Sequence, residues 1–351
     1  MRLITYIRND VQRLGAWIDN DQSVVDLAAA SMLIHGNGAG VYSTMQSLIE
    51  GGEAPLDRAR RLLERPPTEA IFPSHVCTLR PPLPQPTQLR DFLAFPEHVR
   101  GCRITLGELM IDDAADPEQK RKELTAAKYF DVPPGYFDYP VYYTGNRLSI
   151  SGDQEDIIWP TFSNFIDYEL EWAAVIGTAG KTISNGQAKG HIFGYTIFND
   201  WSARDEQMKA MGGAVSLGPG VGKDFANTIG PCIVTADEIT DPYSLAMRAS
   251  LNGKLVSSGN TSGMHFKFEE LIEYVSRAHA IYPGEIMGSG TVGGGCSLET
   301  RIHIGHGDTI ELEVDQIGKL KNRVLAPHLS SQNSDSFSKG LMNAMKGAIK
   351  N

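Results

Sequence analysis

A mixed α/β fold, rich in short strands, is the class this sequence predicts, and three observations predict it. From Tyr142 to Leu325 apolar and polar residues alternate in short runs bounded by Gly, Asn and Asp, the pattern of a β-sandwich or rolled sheet. Glycine is in excess, 36 residues or about one in ten against a usual ~7%, and with 19 prolines it implies many turns. Helical periodicity is confined to a few segments, of which FKFEELIEYVSRAHAI is the clearest amphipathic one.

In chain order, LITYI, RLGAWI and SVVDL read as strands separated by the turn-formers Asn9-Asp10 and Asn20-Asp21. Helical stretches follow around Thr44–Glu50 and Pro55–Leu63. The run LRPPLPQPTQL carries four prolines, which block a helix and favour an extended path. Residues 1–78 are therefore expected to form a small N-terminal α/β domain, 79–89 a Pro-rich linker, 90–327 a larger β-rich domain and 328–351 a loose C-terminal tail. DFLAFPEHVRGCRITLGELM suggests a short helical region interrupted at Pro96, and Asp116-Pro117 signals the start of a polar surface helix within 112–128. The strands LSISG, YELEWAAVIG, FGYTIFNDWS, GPCIVTAD, LAMRASLNGKLV, TRIHIG and DTIELEVDQIGKLKNRV make up the remainder.

The 351 residues carry a formal net charge of −10, which argues against a nucleic-acid or anionic-membrane partner. No apolar run reaches the roughly 18–20 residues of a membrane helix, and MRLITYIRNDVQRLG has charges where a signal peptide needs an apolar core. Cys77, Cys102, Cys232 and Cys296 are scattered, without a CxxC pair or a zinc-type grouping with His, so they read as small apolar residues of a reducing compartment. A cytoplasmic enzyme is expected.

Glu169 and Glu171 stand two apart in DYELEWAAVIG, so a strand would point both carboxylates to one side. Like charges that close call for a cation, and beside an apolar run a hard divalent metal fits; a solvated acidic face is the competing reading. Asp200 ends an apolar strand and precedes Arg204 and Gln207, which one helical turn would bring together to offer a cation and an amide to an anion. Capping of that helix is the competing role for Asp200. The stretch LGPGVGKDFANTIGP fails the phosphate-loop spacing because Asp224 follows Lys223, which leaves Lys223 as a charge for an oxyanion. GSGTVGGGC offers a backbone cradle for an anion or carbonyl and is followed by Glu299. His98 near such a carboxylate would be a general base toward water, and Asp91 lies seven residues before it. No GxSxG elbow is present, so a serine hydrolase has no support.

Together the blocks DFLAFPEH, YPVYYTGN, DYELEWAAVIG, FNDWSARDEQ, GPGVGKDFANTIGP, GSGTVGGGCSLE and GDTIELEVDQIGKLKNRV, in order over most of residues 90–325, resemble the fumarylacetoacetate hydrolase family. The resemblance implies a β-rich roll behind a small N-terminal domain, usually in a homodimer. It implies metal carboxylates at Asp91, Glu169, Glu171 and Asp200, and a base at His98 oriented by Glu299. Arg204, Gln207 and Lys223 match groups that bind substrate oxygens and developing negative charge, and Tyr143 and Thr291 match substrate-contacting positions. The implied reaction is hydrolysis of a carbon–carbon bond in an acylpyruvate-like or fumarylacetoacetate-like diketo acid, with Mg²⁺ as the expected ion and Mn²⁺ or Ca²⁺ as alternatives. The other branch the family implies is a decarboxylase, hydratase or isomerase of a 2-oxo acid working through the same enolate, and a non-catalytic binding protein is a third reading. The segment from Val99 to Phe137 matches none of these blocks and suggests a lid or a dimer contact. Glu97 directly precedes His98, which does not reproduce the lid spacing of shorter relatives and favours hydrolysis.

Overall fold

The computed structural model describes residues 1–36, 39–212, 217–329 and Leu341. Its centre is a large mixed sheet. Five strands carry the middle: Asn227–Thr235, Ile192–Asp200, Leu170–Ile176, Glu285–Gly288 and Gln88–Phe92, hydrogen-bonded in that order. A second sheet, built on Ala246–Leu251, Lys254–Asn260, Thr309–Val314 and Gly318–Leu325, packs over one face. This is the rolled, β-rich architecture the alternating pattern predicts.

The N-terminal strands Arg2–Arg8, Val11–Ile18 and Ser23–Asp26 fall where the turn residues put them. Asn9 and Asp10 both take positive φ, 51° and 59°, the conformation that a two-residue hairpin needs and that Asn and Asp tolerate. These strands do not stand apart: Arg2 pairs with Val234 and Leu3 with Ile233, so they extend the central sheet. The Pro-rich stretch is tied down as well, with Thr78–Arg80 paired to Arg2–Arg8 and the Pro82 carbonyl accepting from Thr5 Oγ1 at 2.7 Å.

Strand periodicity sorts the core into two layers. On Leu170–Ile176, Leu170, Trp172, Ala174 and Ile176 face the second sheet, while Ala173 and Val175 pack with the N-terminal residues Leu27, Leu48 and Leu56. Helix Phe268–Ala278 buries Phe268, Leu271, Ile272 and Val275 on the first of these layers. Each such side chain contributes about 1.5–3 kcal/mol when fully buried. Trp172 anchors the layer, 4.7 Å from Phe268 and 5.1 Å from Tyr195 between ring centroids.

Two local expectations are corrected. Pro96 does not interrupt a helix but opens one, Pro96–Asp112, at the first-turn position where its missing N–H costs nothing. Asp200 does not cap the helix Arg204–Gly212, which begins four residues later; it is the last residue of its strand. Asp116 does cap its helix, accepting from the Gln119 amide at 3.0 Å. Of the C-terminal tail only His328, Leu329 and Leu341 are among the described residues, and Leu341 is buried with Leu109, Phe165 and Leu298.

Candidate active site

Three carboxylates converge because three strands end together on one face. Asp91 shares a strand face with Leu89, Glu171 with Ala173 and Val175, and Asp200 with Phe198, all on the layer that the N-terminal segment covers. Their oxygens lie within 4.8 Å of one another, and all three residues are buried. The close approach depends on Gly288, paired with Asp91 across the sheet: a Cβ there would stand 2.4 Å from Asp91 Oδ1.

Backbone and hydroxyl donors surround the cluster. The Gly290 amide donates to Glu171 Oε2 at 2.9 Å and to Asp91 Oδ1 at 3.3 Å, and Thr291 Oγ1 donates to Glu171 Oε1 at 3.3 Å. Tyr143 donates its phenol to Asp200 Oδ2 at 2.8 Å. Burial, and then repulsion among the carboxylates, push Asp91 and Glu171 well above the ordinary range; burial pushes Asp200 up to about 6 against the pull of Lys223. Asp200 Oδ1 is buried with no hydrogen-bond partner among the described residues. An all-oxygen donor set, mutually repelling and holding an unpaired buried oxygen, fits a hard divalent cation such as Mg²⁺, Mn²⁺ or Ca²⁺.

Glu169 sits beside this group rather than in it. Arg204 Nη2 donates to its Oε1 at 2.6 Å, and Lys223 Nζ donates to its Oε2 and also to Asp200 Oδ2. Burial opposes ionisation of Glu169, but the Arg204 and Lys223 charges win and hold it well below the usual carboxylate range. Arg204 reaches Gln207 Oε1 at 2.7 Å, so the one-turn spacing does bring these two side chains together. Among the described residues, that contact leaves the Gln207 amide nitrogen available as a donor.

His98 lies in the first turn of helix Pro96–Asp112, and Glu299 lies in the short helix Ser297–Thr300. His98 Nδ1 and Glu299 Oε1 are 2.6 Å apart, and the Gly294 amide fixes the other Glu299 oxygen at 2.8 Å. Burial alone would lower the His98 imidazole, but the Glu299 carboxylate outweighs it and holds the ring well above its ordinary value. The opposite nitrogen, Nε2, stands 3.9 Å from Glu169 Oε1, which places the imidazole on the edge of the carboxylate group.

Gly101 makes this pairing possible, since a Cβ there would lie 2.2 Å from Glu299 Oε2. Gly101→Ala is expected to displace Glu299 and cost about 10²-fold in turnover, the scale of a 1 Å misplacement. Helix propensity moves the other way, by ~1 kcal/mol in favour of Ala. An unchanged or raised melting temperature with lost activity is therefore the expected result.

Every candidate metal, catalytic or substrate-contacting residue named from the sequence lies in or against this one region. Asp167 was missed. Its buried carboxylate accepts from Arg204 Nε at 2.7 Å, Ser297 N at 2.7 Å and Leu298 N at 3.1 Å, so it holds both the guanidinium and the helix that carries Glu299. The signal was available, because Asp167, Glu169 and Glu171 continue a single two-residue period. Cys102 and Cys296 were also missed at this place and lie against His98 and Glu299.

A buried carboxylate cluster beside a His–Glu pair, on a rolled β-fold, is the constellation of a divalent-metal enzyme. The family described as Fumarylacetoacetate (FAA) hydrolase C-terminal matches residues 112–325, and the chain belongs to the fumarylacetoacetate hydrolase family. That match starts inside the 99–137 segment, which the sequence blocks left unplaced, and after Asp91 and His98. Human mitochondrial oxaloacetate tautomerase FAHD2A is 30% identical over 301 residues, covering 83% of this chain and 85% of that protein. The 2,4-didehydro-3-deoxy-L-rhamnonate hydrolase of Sphingomonas sp. strain SKA58 is 32% identical over 188 residues, 53% of this chain and 65% of that one. Among solved structures, the fumarylacetoacetate hydrolase of psychrophilic Exiguobacterium antarcticum shares the fold, with a TM-score of 0.68 and 22% identity, covering 93% of this chain and 99% of its own.

Proposed function

We propose that the protein is a divalent-metal-dependent hydrolase that cleaves a carbon–carbon bond in a diketo acid of the acylpyruvate or fumarylacetoacetate kind. The observation that carries the reading is the placement of the His98–Glu299 pair, with Nε2 3.9 Å from Glu169, which Lys223 joins to Asp200 of the carboxylate cluster. Asp91, Glu171 and Asp200, with Glu169 as the fourth carboxylate, would hold the ion; Mg²⁺ is the ion proposed, with Mn²⁺ and Ca²⁺ as alternatives. When bound, a divalent cation supplies Lewis-acid polarisation of the substrate's carbonyl oxygens.

The chain's own residues do the remaining work. His98 Nε2 takes a proton from water, while Glu299 holds the Nδ1–H tautomer and stabilises the imidazolium that forms. Lys223 and Arg204 offer fixed positive charge to the alkoxide and then to the departing enolate, without reorganising solvent. The Gln207 amide nitrogen donates a hydrogen bond to a substrate oxygen, while Tyr143, whose phenol donates to Asp200, and Thr291 line the same edge. The returned proton from His98 completes the leaving fragment.

A second reading is a keto–enol tautomerase or related isomerase of a 2-oxo acid, in which His98 removes a proton from carbon instead of from water. What favours it is the human relative that carries the name oxaloacetate tautomerase at 30% identity over most of both chains. A product assay in H₂¹⁸O with acylpyruvates, fumarylacetoacetate-like diketo acids and oxaloacetate, with Mg²⁺ and with EDTA, tests both. Label in a cleaved carboxylate only with metal is the expected result. Unlabelled isomer or metal-dependent CO₂ release would overturn the hydrolase reading in favour of the other branch.

The same reading includes a homodimer and a cytoplasmic location. No helix among the described residues is long and apolar enough to cross a membrane. Light scattering on the purified protein is expected to return twice the chain mass.

A further inference from the structure

His98, Cys102, Cys296 and Glu299 each offer one donor atom, and these four atoms lie within 4.8 Å of one another. The cysteines are 194 positions apart in the sequence, yet helix Pro96–Asp112 puts Cys102 one turn beyond His98, and Cys296 immediately precedes the Glu299 helix. Cys102 Sγ is 3.7 Å from His98 Nε2, Cys296 Sγ is 3.5 Å from Glu299 Oε1, and the two sulfurs lie within 4.8 Å of each other. Cys296 and His98 are buried, whereas Cys102 is half-buried and leaves an approach from solvent.

We propose that these four side chains form a second metal site, selective for a soft or borderline cation such as Zn²⁺, that shares His98 with the reaction centre and switches it off when filled. A tetrahedral zinc with bonds of about 2.0–2.3 Å sets its donors roughly 3.3–3.8 Å apart. The Cys102–His98 and Cys296–Glu299 distances already fall in that range, so rotations of the side chains complete the shell. Two thiolates, one imidazole and one carboxylate would fill all four tetrahedral positions of zinc and leave none open to substrate. The neighbouring carboxylate cluster is all-oxygen and suits a harder ion, so the two sites sort cations by ligand softness. Filling the second site commits a lone pair of His98 to the metal and draws Glu299 off the imidazole. The inhibitory consequence rests on His98 being the base; the binding itself does not.

The test uses the full chain saturated with Mg²⁺. Cobalt(II) is titrated as a spectroscopic probe, and zinc is then added and counted after desalting. One zinc per chain and a thiolate-to-cobalt charge-transfer band are expected in the native protein and in Asp200→Asn. Cys102→Ser and Cys296→Ala are each expected to weaken zinc binding by at least about 10-fold and to diminish the band, with thermal unfolding confirming that both variants fold. Zinc is expected to inhibit the native enzyme despite excess Mg²⁺, and Cys102→Ser to escape. Zinc retained equally by both cysteine variants, absence of the band, or loss of zinc only in Asp200→Asn would overturn the proposal. Should no hydrolase activity be found, the cobalt and zinc arms still decide whether the site exists.

Discussion

Replacing His98 with alanine is expected to reduce turnover by about 10²–10⁴-fold, the usual contribution of a positioned general base. Divalent-metal affinity should change little, because His98 stands 3.9 Å from Glu169 and outside the Asp91, Glu171 and Asp200 cluster. Metal titration by calorimetry beside steady-state kinetics checks the separation; loss of metal binding in His98→Ala would assign His98 a structural role instead. The pH profile carries the sharper signature. Glu299 holds the imidazole well above its ordinary value, so a base at His98 becomes active only as pH rises through that elevated midpoint. Glu299→Gln removes the negative charge, lowers the His98 midpoint and moves the rising limb of kcat/KM toward lower pH, while the maximum rate falls. An unmoved limb would remove the His98–Glu299 pair from the chemistry.

Lys223→Met is expected to cost about 3–5 kcal/mol of folding stability, the penalty for leaving a buried charge without its partner. Lys223 is buried and donates to both Glu169 and Asp200, and these carboxylates in turn raise its own affinity for the proton against the pull of burial. With the ammonium gone, Glu169 keeps Arg204, but Asp200 keeps only the Tyr143 phenol among its described side-chain donors. The midpoint of Asp200, already raised to about 6, moves further up, so the cost is largest at alkaline pH and shrinks as the pH falls and the carboxyl takes a proton. Urea unfolding of both proteins at pH 5 and pH 8, in EDTA, measures this directly. Equal stability of the variant at both pH values would mean that the lysine does not balance these carboxylates.

Local signals were the legible ones. Asn9-Asp10 marked a hairpin because the left-handed backbone they adopt is encoded in two adjacent residues. The Phe268–Ala278 helix was legible because its apolar positions repeat with the helix period on one buried face. Pro96 was misread because proline is written identically as a breaker and as a first-turn residue, and only the chain before it decides. The N-terminal strands looked like part of a separate domain, since nothing in residues 1–35 announces that Leu3 will pair with Ile233. In the site, the two-residue spacing of Glu169 and Glu171 and the position of Asp200 at a strand end were visible, and the same spacing extends to Asp167, which was overlooked.

The amino-acid order alone carries the residue inventory and its local periodicity. A run of ordered blocks carries carboxylates on strands, a histidine after a proline and glycines before a glutamate, and these suffice for the family and the rolled β-fold. Tertiary structure decided how those residues divide their labour. It joined Asp91, Glu171 and Asp200 into one cluster, turned Glu169 toward Arg204 and Lys223, and set Cys102 and Cys296 against His98 and Glu299. The physical reason is that periodicity fixes which face a side chain occupies, whereas its partner on that face is fixed by register between strands distant in sequence. Glycines such as Gly101 and Gly288, lacking a Cβ, then permit the last ångströms of approach.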